Sequence, residues 1–194
     1  MKTIFPIAAL AASLVALPTV ASAQRAPAAV IVVIDNERIY RECNACKSAS
    51  AQLQSMVSAA QTREKSLNSQ LQIEGTAIQT AANALGGKEP DAALKARAQA
   101  FETKRNAATQ ELSRLQSNIQ STQSNVARQV NAKLGNVYAQ VMTARGANLA
   151  LDSGATLASA SGLDVTTDVL TALNAALPSV SVTPMPASAA PKGR

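Results

Sequence analysis

Cys43-Asn44-Ala45-Cys46 is the most chemically pointed stretch in this chain of 194 residues. In an oxidising compartment, two thiols at this spacing can close a disulfide, bridge subunits or act as a redox pair. The redox reading expects the motif at a helix N-terminus, after a strand of a βαβ unit. Here it follows an apolar run through a short polar stretch, and no aromatic residue or proline directly flanks it. Positions three apart on a helix share one side, so a bond within the chain can form, though under strain. The pair reads first as structural thiols or a structural disulfide at the root of a larger element. A bridge between subunits comes second, and redox or metal chemistry last.

Other catalytic chemistry is scarce. The chain has no His, which removes the usual general base near neutral pH and the commonest metal ligand. Ser-His-Asp and Cys-His nucleophile systems are excluded as such. Two cysteines alone cannot complete a tetrahedral thiolate zinc site, and no Gly-rich phosphate loop appears. Asp164 and Asp168 read as capping and surface groups rather than an acid/base pair. Lys95, Arg97, Lys104 and Arg105 spread around a helix and read as a solvated face. The expectation is no enzyme, with no catalytic, cofactor-binding or metal-ligating residues, and no nucleic-acid partner.

The elements around the cysteines follow from composition and periodicity. The chain is 47% hydrophobic but only 2% aromatic, so its apolar content is aliphatic and small. That favours an elongated, alanine-rich helical architecture over one round core. The first 23 residues read as a secretory signal: Lys2, an apolar run Ile4 to Val20, then the small-residue site Ala21-Ser22-Ala23. Pro6 and Pro18 argue against a membrane anchor. Cleavage removes Lys2 and lowers the formal net charge from +6 to +5. The product is expected in the periplasm, without a lipid anchor.

Val30 to Ile34 (VIVVI) reads as a buried strand, and Asn148–Asp152 and Thr156–Ala160 as two more, joined by turn residues Asp152-Ser153-Gly154. Thr166 is the expected N-cap of a last helix through Leu177, which Pro178 ends. Between the strands, apolar residues recur in alternating steps of four and three. One segment runs from Leu53 through Leu67, Leu71 and Ile78 to Leu85, with Glu64 and Glu74 as interruptions. The other runs from Leu94 through Phe101 and Leu112 to Val126, with Arg105 and Thr122 as exceptions. Such a seam, broken by Gly86-Gly87-Lys88-Glu89-Pro90, predicts an antiparallel helical hairpin with its tip at 86–90. If Leu85 faces Leu94, then Ile78 meets Phe101, Leu67 meets Leu112, and Glu74 falls opposite Arg105. Beyond Val126 the steps become four and four, a stutter that can mark the arm's entry into a wider base.

The fold class expected is α+β, mostly α: a long helical hairpin on a small β-structured oligomerisation body. The body takes 24–42 and 142–177, the arm 43–141, and a disordered Pro/Ala-rich tail 178–194. Short strands with open edges require an oligomer, joined through Val30, Ile31, Val32, Val33, Ile34, Leu149, Leu151 and Leu157.

This layout resembles the Skp/OmpH family of periplasmic chaperones. The residues that carry the resemblance are VIVVID at Val30 to Asp35 with Arg38-Ile39-Tyr40, NLALD at Asn148 to Asp152, and LDVTTDVL at Leu163 to Leu170. The resemblance implies a homotrimer whose β-structured body joins three hairpin tentacles around a cavity. It implies an ATP-independent holdase for unfolded outer-membrane proteins. The mild basicity suits anionic lipid or lipopolysaccharide headgroups, but the tip is not conspicuously basic and no such site carries over to particular residues. No client-contact residue is assigned. The alternative reading is a coiled-coil spacer or adaptor of the cell envelope.

Overall fold

Residues 27–185 are described by the structure, a computed structural model; the expected signal peptide, 1–23, lies outside them. The chain runs β1 (Ile31–Ile34), α1 (Asn36–Glu42), α2 (Asn44–Ala84), α3 (Ala92–Ala144), β2 (Leu149–Asp152) and α4 (Thr166–Ala176). The result is mostly helical, with α2 and α3 as the arms of a hairpin and a two-stranded sheet at its base.

The hairpin turns where left-handed backbone is needed. Gly86 and Gly87 have φ of 56° and 89°, a region in which a side chain would be strained. Asp91 then caps α3, its carboxylate accepting from the Leu94 N–H at 2.7 Å. At about 1.5 Å per residue, the 41 residues of α2 and 53 of α3 give arms of roughly 60 and 80 Å.

That inequality serves the sheet. β1 and β2 pair in parallel, Ile31 with Leu149 through Ile34 with Asp152, and a parallel pair needs a crossover. The extra turns of α3 carry the chain back past α1 to the start of β1. On these turns Val130, Leu134, Val137 and Val141 are buried against β1, α1 and α4, around the fully buried Ile39 and Leu173. The stutter after Val126 thus falls where α3 leaves the arm and enters the body core.

Several expectations need correction. A short helix, α1, precedes the arm; Asp35 caps it by accepting from the Arg38 N–H at 2.8 Å. Thr156–Ala160 is not a strand, and Leu157 stands fully exposed. β1 has no ladder left to offer that segment, because β2 takes one edge and a bridge from Val33 to Asp164 takes the other. Thr166 is the first residue of α4 rather than its cap. Its hydroxyl accepts from the Asp35 N–H at 2.9 Å, while the Asp164 carboxylate accepts from the Thr166 N–H at 2.8 Å. The tail is ordered at its start: 181–185 lies along α3, tied by hydrogen bonds with Ser121, Asn125 and Gln129. Residues 186–194 are outside the described residues.

Candidate functional site

The arm's seam does not close. Leu67, Leu71, Ile78, Leu85, Leu94, Phe101 and Leu112 all lie in the seam, yet each is only half-buried. Two helices touching along one line cannot cover side chains of this size from both flanks. Ala108 is buried between the arms because its short side chain fits the line of contact.

Cross-arm polar pairs set the register. The Glu74 carboxylate takes Lys104 Nζ at 2.8 and 3.0 Å, and Arg105 instead pairs within α3 to Glu102 at 2.6 Å. The expected Glu74–Arg105 pair is therefore replaced by its neighbour. Phe101 packs against Gly75 rather than opposite Ile78 alone: a Cβ on Gly75 would lie 3.3 Å from Phe101 Cζ. Gly75 is a notch that accepts the ring, and this contact, like the Glu74–Lys104 pair, departs from the pairing that Leu85 against Leu94 predicts. Nearer the root, Arg63 grips Glu111 with two bonds, at 2.7 and 3.0 Å. This guanidinium holds the Glu111 carboxyl below its usual range, and Glu111 raises Arg63 in turn.

These pairs bracket apolar clefts. One of about 300 Å³ lies between the two ion pairs, floored by Leu67, Leu71 and Ala108. Another of about 430 Å³ opens beside Val57, Leu112, Leu115 and Ile119, rimmed by Glu64 and several Gln side chains. A third, of about 340 Å³, opens between the same helices at Met56, Ala59 and Leu115. The floors of these clefts are apolar and their rims carry long polar side chains.

The root is built differently. Cys43 and Cys46 are joined by a disulfide, and both are buried in the body core. Cys43 ends α1, its N–H donating to Ile39 O at 2.9 Å, and begins α2, its Sγ accepting from the Cys46 N–H at 3.0 Å. The motif does sit at a helix N-terminus, but it follows a helix and not a strand. A small crevice of about 190 Å³ beside Cys46 is lined by Tyr40, Ala49, Leu53, Val126 and Val130. Tyr40 donates to Asn131 and Tyr138 to Asn36, and burial raises both phenols above their ordinary values.

In the body, Val32, Val33 and Ile34 are buried within this one chain. Val30, Leu149, Leu151 and Leu163 are exposed, as is Leu157, and the outer edge of β2 has no partner among the described residues. Asp164 and Asp168 are structural: Asp164 is held below its usual range by its bonds to Thr166, and Asp168 accepts from Arg145 Nε at 2.9 Å. Sequence reasoning missed Arg63, Gly75 and Glu111, and read Lys104 as part of a solvated face rather than as the partner of Glu74. Their signal was available only as positions flanking the heptad seam, where partners depend on an offset that heptad counting does not supply.

A family model described as outer membrane protein (OmpH-like) matches residues 30–173. Among solved structures, one from Caulobacter crescentus, described as an outer membrane chaperone (OmpH-like), superposes with a TM-score of 0.67 at 19% identity. The match covers 84% of this chain and 95% of that one, and at this identity the likeness is one of fold. No curated protein matches.

Proposed function

Because the chain belongs to the OmpH-like family of outer membrane proteins, we propose that it is a chaperone of the cell envelope. In this reading it is an ATP-independent periplasmic holdase that keeps unfolded outer-membrane proteins from aggregating in transit. The observation that carries the reading is the half-open seam. Barrel precursors present alternating apolar side chains and unpaired strand edges that aggregate in water. A long arm with apolar clefts and adaptable rims can hold such chains without selecting one sequence. The disulfide-bearing root is packed into the apolar body core, and in this reading the cysteines serve the scaffold.

Three copies assemble in this proposal, through the outer edge of β2 and the exposed Val30, Leu149, Leu151 and Leu157. The division proposed is an arm of 43–141 and a body of 24–42 with 142–177, the root of the arm (Cys43, Cys46 and Val130 to Val141) packing into the body core. A signal peptide directs export in this proposal and is cleaved after Ala23. Anionic headgroups are a secondary partner for a chain with formal net charge +6 before cleavage.

The test is dilution of an outer-membrane barrel from urea into buffer containing the mature chain. The barrel should remain in the supernatant after centrifugation. If it precipitates as fast as without the chain, the holdase reading fails, and a spacer role is left.

A further inference from the structure

The tail, beyond the residues that match the family model, meets α3 in a regular way. Gln129 Nε2 donates to Ser181 O at 3.0 Å, and its Oε1 accepts from the Ser181 N–H at 2.9 Å. Four residues earlier on α3, Asn125 Nδ2 donates to Thr183 O at 3.0 Å. Four residues earlier again, Ser121 Oγ accepts from the Met185 N–H at 2.9 Å. Every second tail residue therefore meets every fourth helix residue. The two repeats agree in length: four helical residues rise about 6 Å and two extended residues about 6.6 Å. In these bonds the tail contributes only backbone atoms.

We propose that Ser121, Asn125 and Gln129 form a ladder that binds extended polypeptide by its backbone. Residues 181–185 are its resting occupant, and an extended segment of non-native polypeptide takes their place. The identification of that guest as a client rests on the holdase reading; the ladder itself does not. A side-chain amide both donates and accepts, so Gln129 can satisfy both polar groups of one guest residue whatever its side chain. Arg128 Nη2 donates to Asn125 Oδ1 at 2.8 Å, which leaves the Asn125 amide donor turned to the guest. The ladder needs an N–H at its first and fifth guest positions and only a carbonyl at its third. Pro184 occupies the fourth position, where the ladder uses neither group. Four hydrogen bonds hold loosely, yet a short tether presents the tail at millimolar effective concentration. The tail is thus a competitor that a tight or abundant guest displaces.

The test compares the mature chain with one ending at Pro178, using fluorescein-labelled peptide 178–185 and an octapeptide of unrelated Ala/Val/Ser/Thr sequence. The shortened chain should bind both peptides about tenfold more tightly, its tethered competitor being gone. N-methylation at Ser181 of the labelled peptide should abolish binding, and at Thr183 should leave it. Q129L should weaken binding by more than about fivefold, and Q129E, which keeps an acceptor, by less; circular dichroism checks that both stay helical. Equal binding by the two chains, equal damage from the two N-methyl groups, or failure of the unrelated peptide overturns the proposal. The barrel-solubility assay on the same proteins separates the readings. A chain that holds barrels but binds no peptide loses only the ladder, while one that binds peptide but lets barrels precipitate loses only the holdase.

Discussion

Cys43 ends one helix and begins the next, so its disulfide to Cys46 fixes a bend rather than linking distant parts. A loop this short adds little chain-entropy stabilisation, about 2 kcal/mol by extrapolation to so small a ring. Replacing both cysteines by Ser should lower the thermal midpoint by roughly 4–8 °C for a chain of this size and leave barrel holding intact. Loss of holding with the fold preserved would mean that the pair acts in function. Glu111 gives a pH signature. Its carboxyl is held low by Arg63, so its contribution is present above the ordinary carboxylate range and is lost as pH falls through the lowered value. Glu111→Gln should therefore lower the melting midpoint slightly at pH 7, and the difference from the parent should vanish once the pH lies below the lowered value. A difference that persists there would show that the pair does not supply it.

The hairpin was legible in the sequence because its signal is periodic: aliphatic residues at heptad spacing and a Gly-Gly-to-Pro break mark arms and tip without any tertiary knowledge. β1 and β2 were legible as short apolar runs, which their composition alone marks as strands. The offset between the arms was not, because close approaches such as that of the Phe101 ring to Gly75 are not encoded by heptad spacing. Gly75→Val should destabilise the arm by about 1–2 kcal/mol through forced displacement of Phe101, read by urea melts, while Gly75→Ala should be near neutral as helix propensity offsets a tight contact. A stabilising Gly75→Val would show that the ring does not need the notch. α1 escaped notice since one buried residue, Ile39, carries its packing, too few to show a period. Thr156–Ala160 misled because strand-like composition says nothing about whether an edge is free to receive it. The ordered start of the tail was hidden by its composition, since its contacts run through backbone atoms that composition does not encode.

At the scale of the molecule, one chain leaves the outer edge of β2 and the side chains of Leu149 and Leu151 uncovered. Leu151→Asp should convert the proposed trimer to monomer, measured as a threefold fall in mass by light scattering, with helix content kept. A parent chain that already scatters as a monomer would sink the assembly. Because β1 pairs with β2 from beyond the hairpin, the core that this assembly needs draws on residues from both sides of the arm.

The greater length of α3 has a kinetic consequence. The pairing of Ile31 with Leu149 is a contact of very high sequence separation, and such contacts form slowly when the intervening chain is loose. A hairpin that zips from its glycine tip replaces that loose chain with two rods and delivers the strands to each other. Synthesis order therefore cannot be folding order here. The first strand made must wait, unpaired, until the last turns of α3 have been laid down, and a chain cut short anywhere in the second arm never acquires a body.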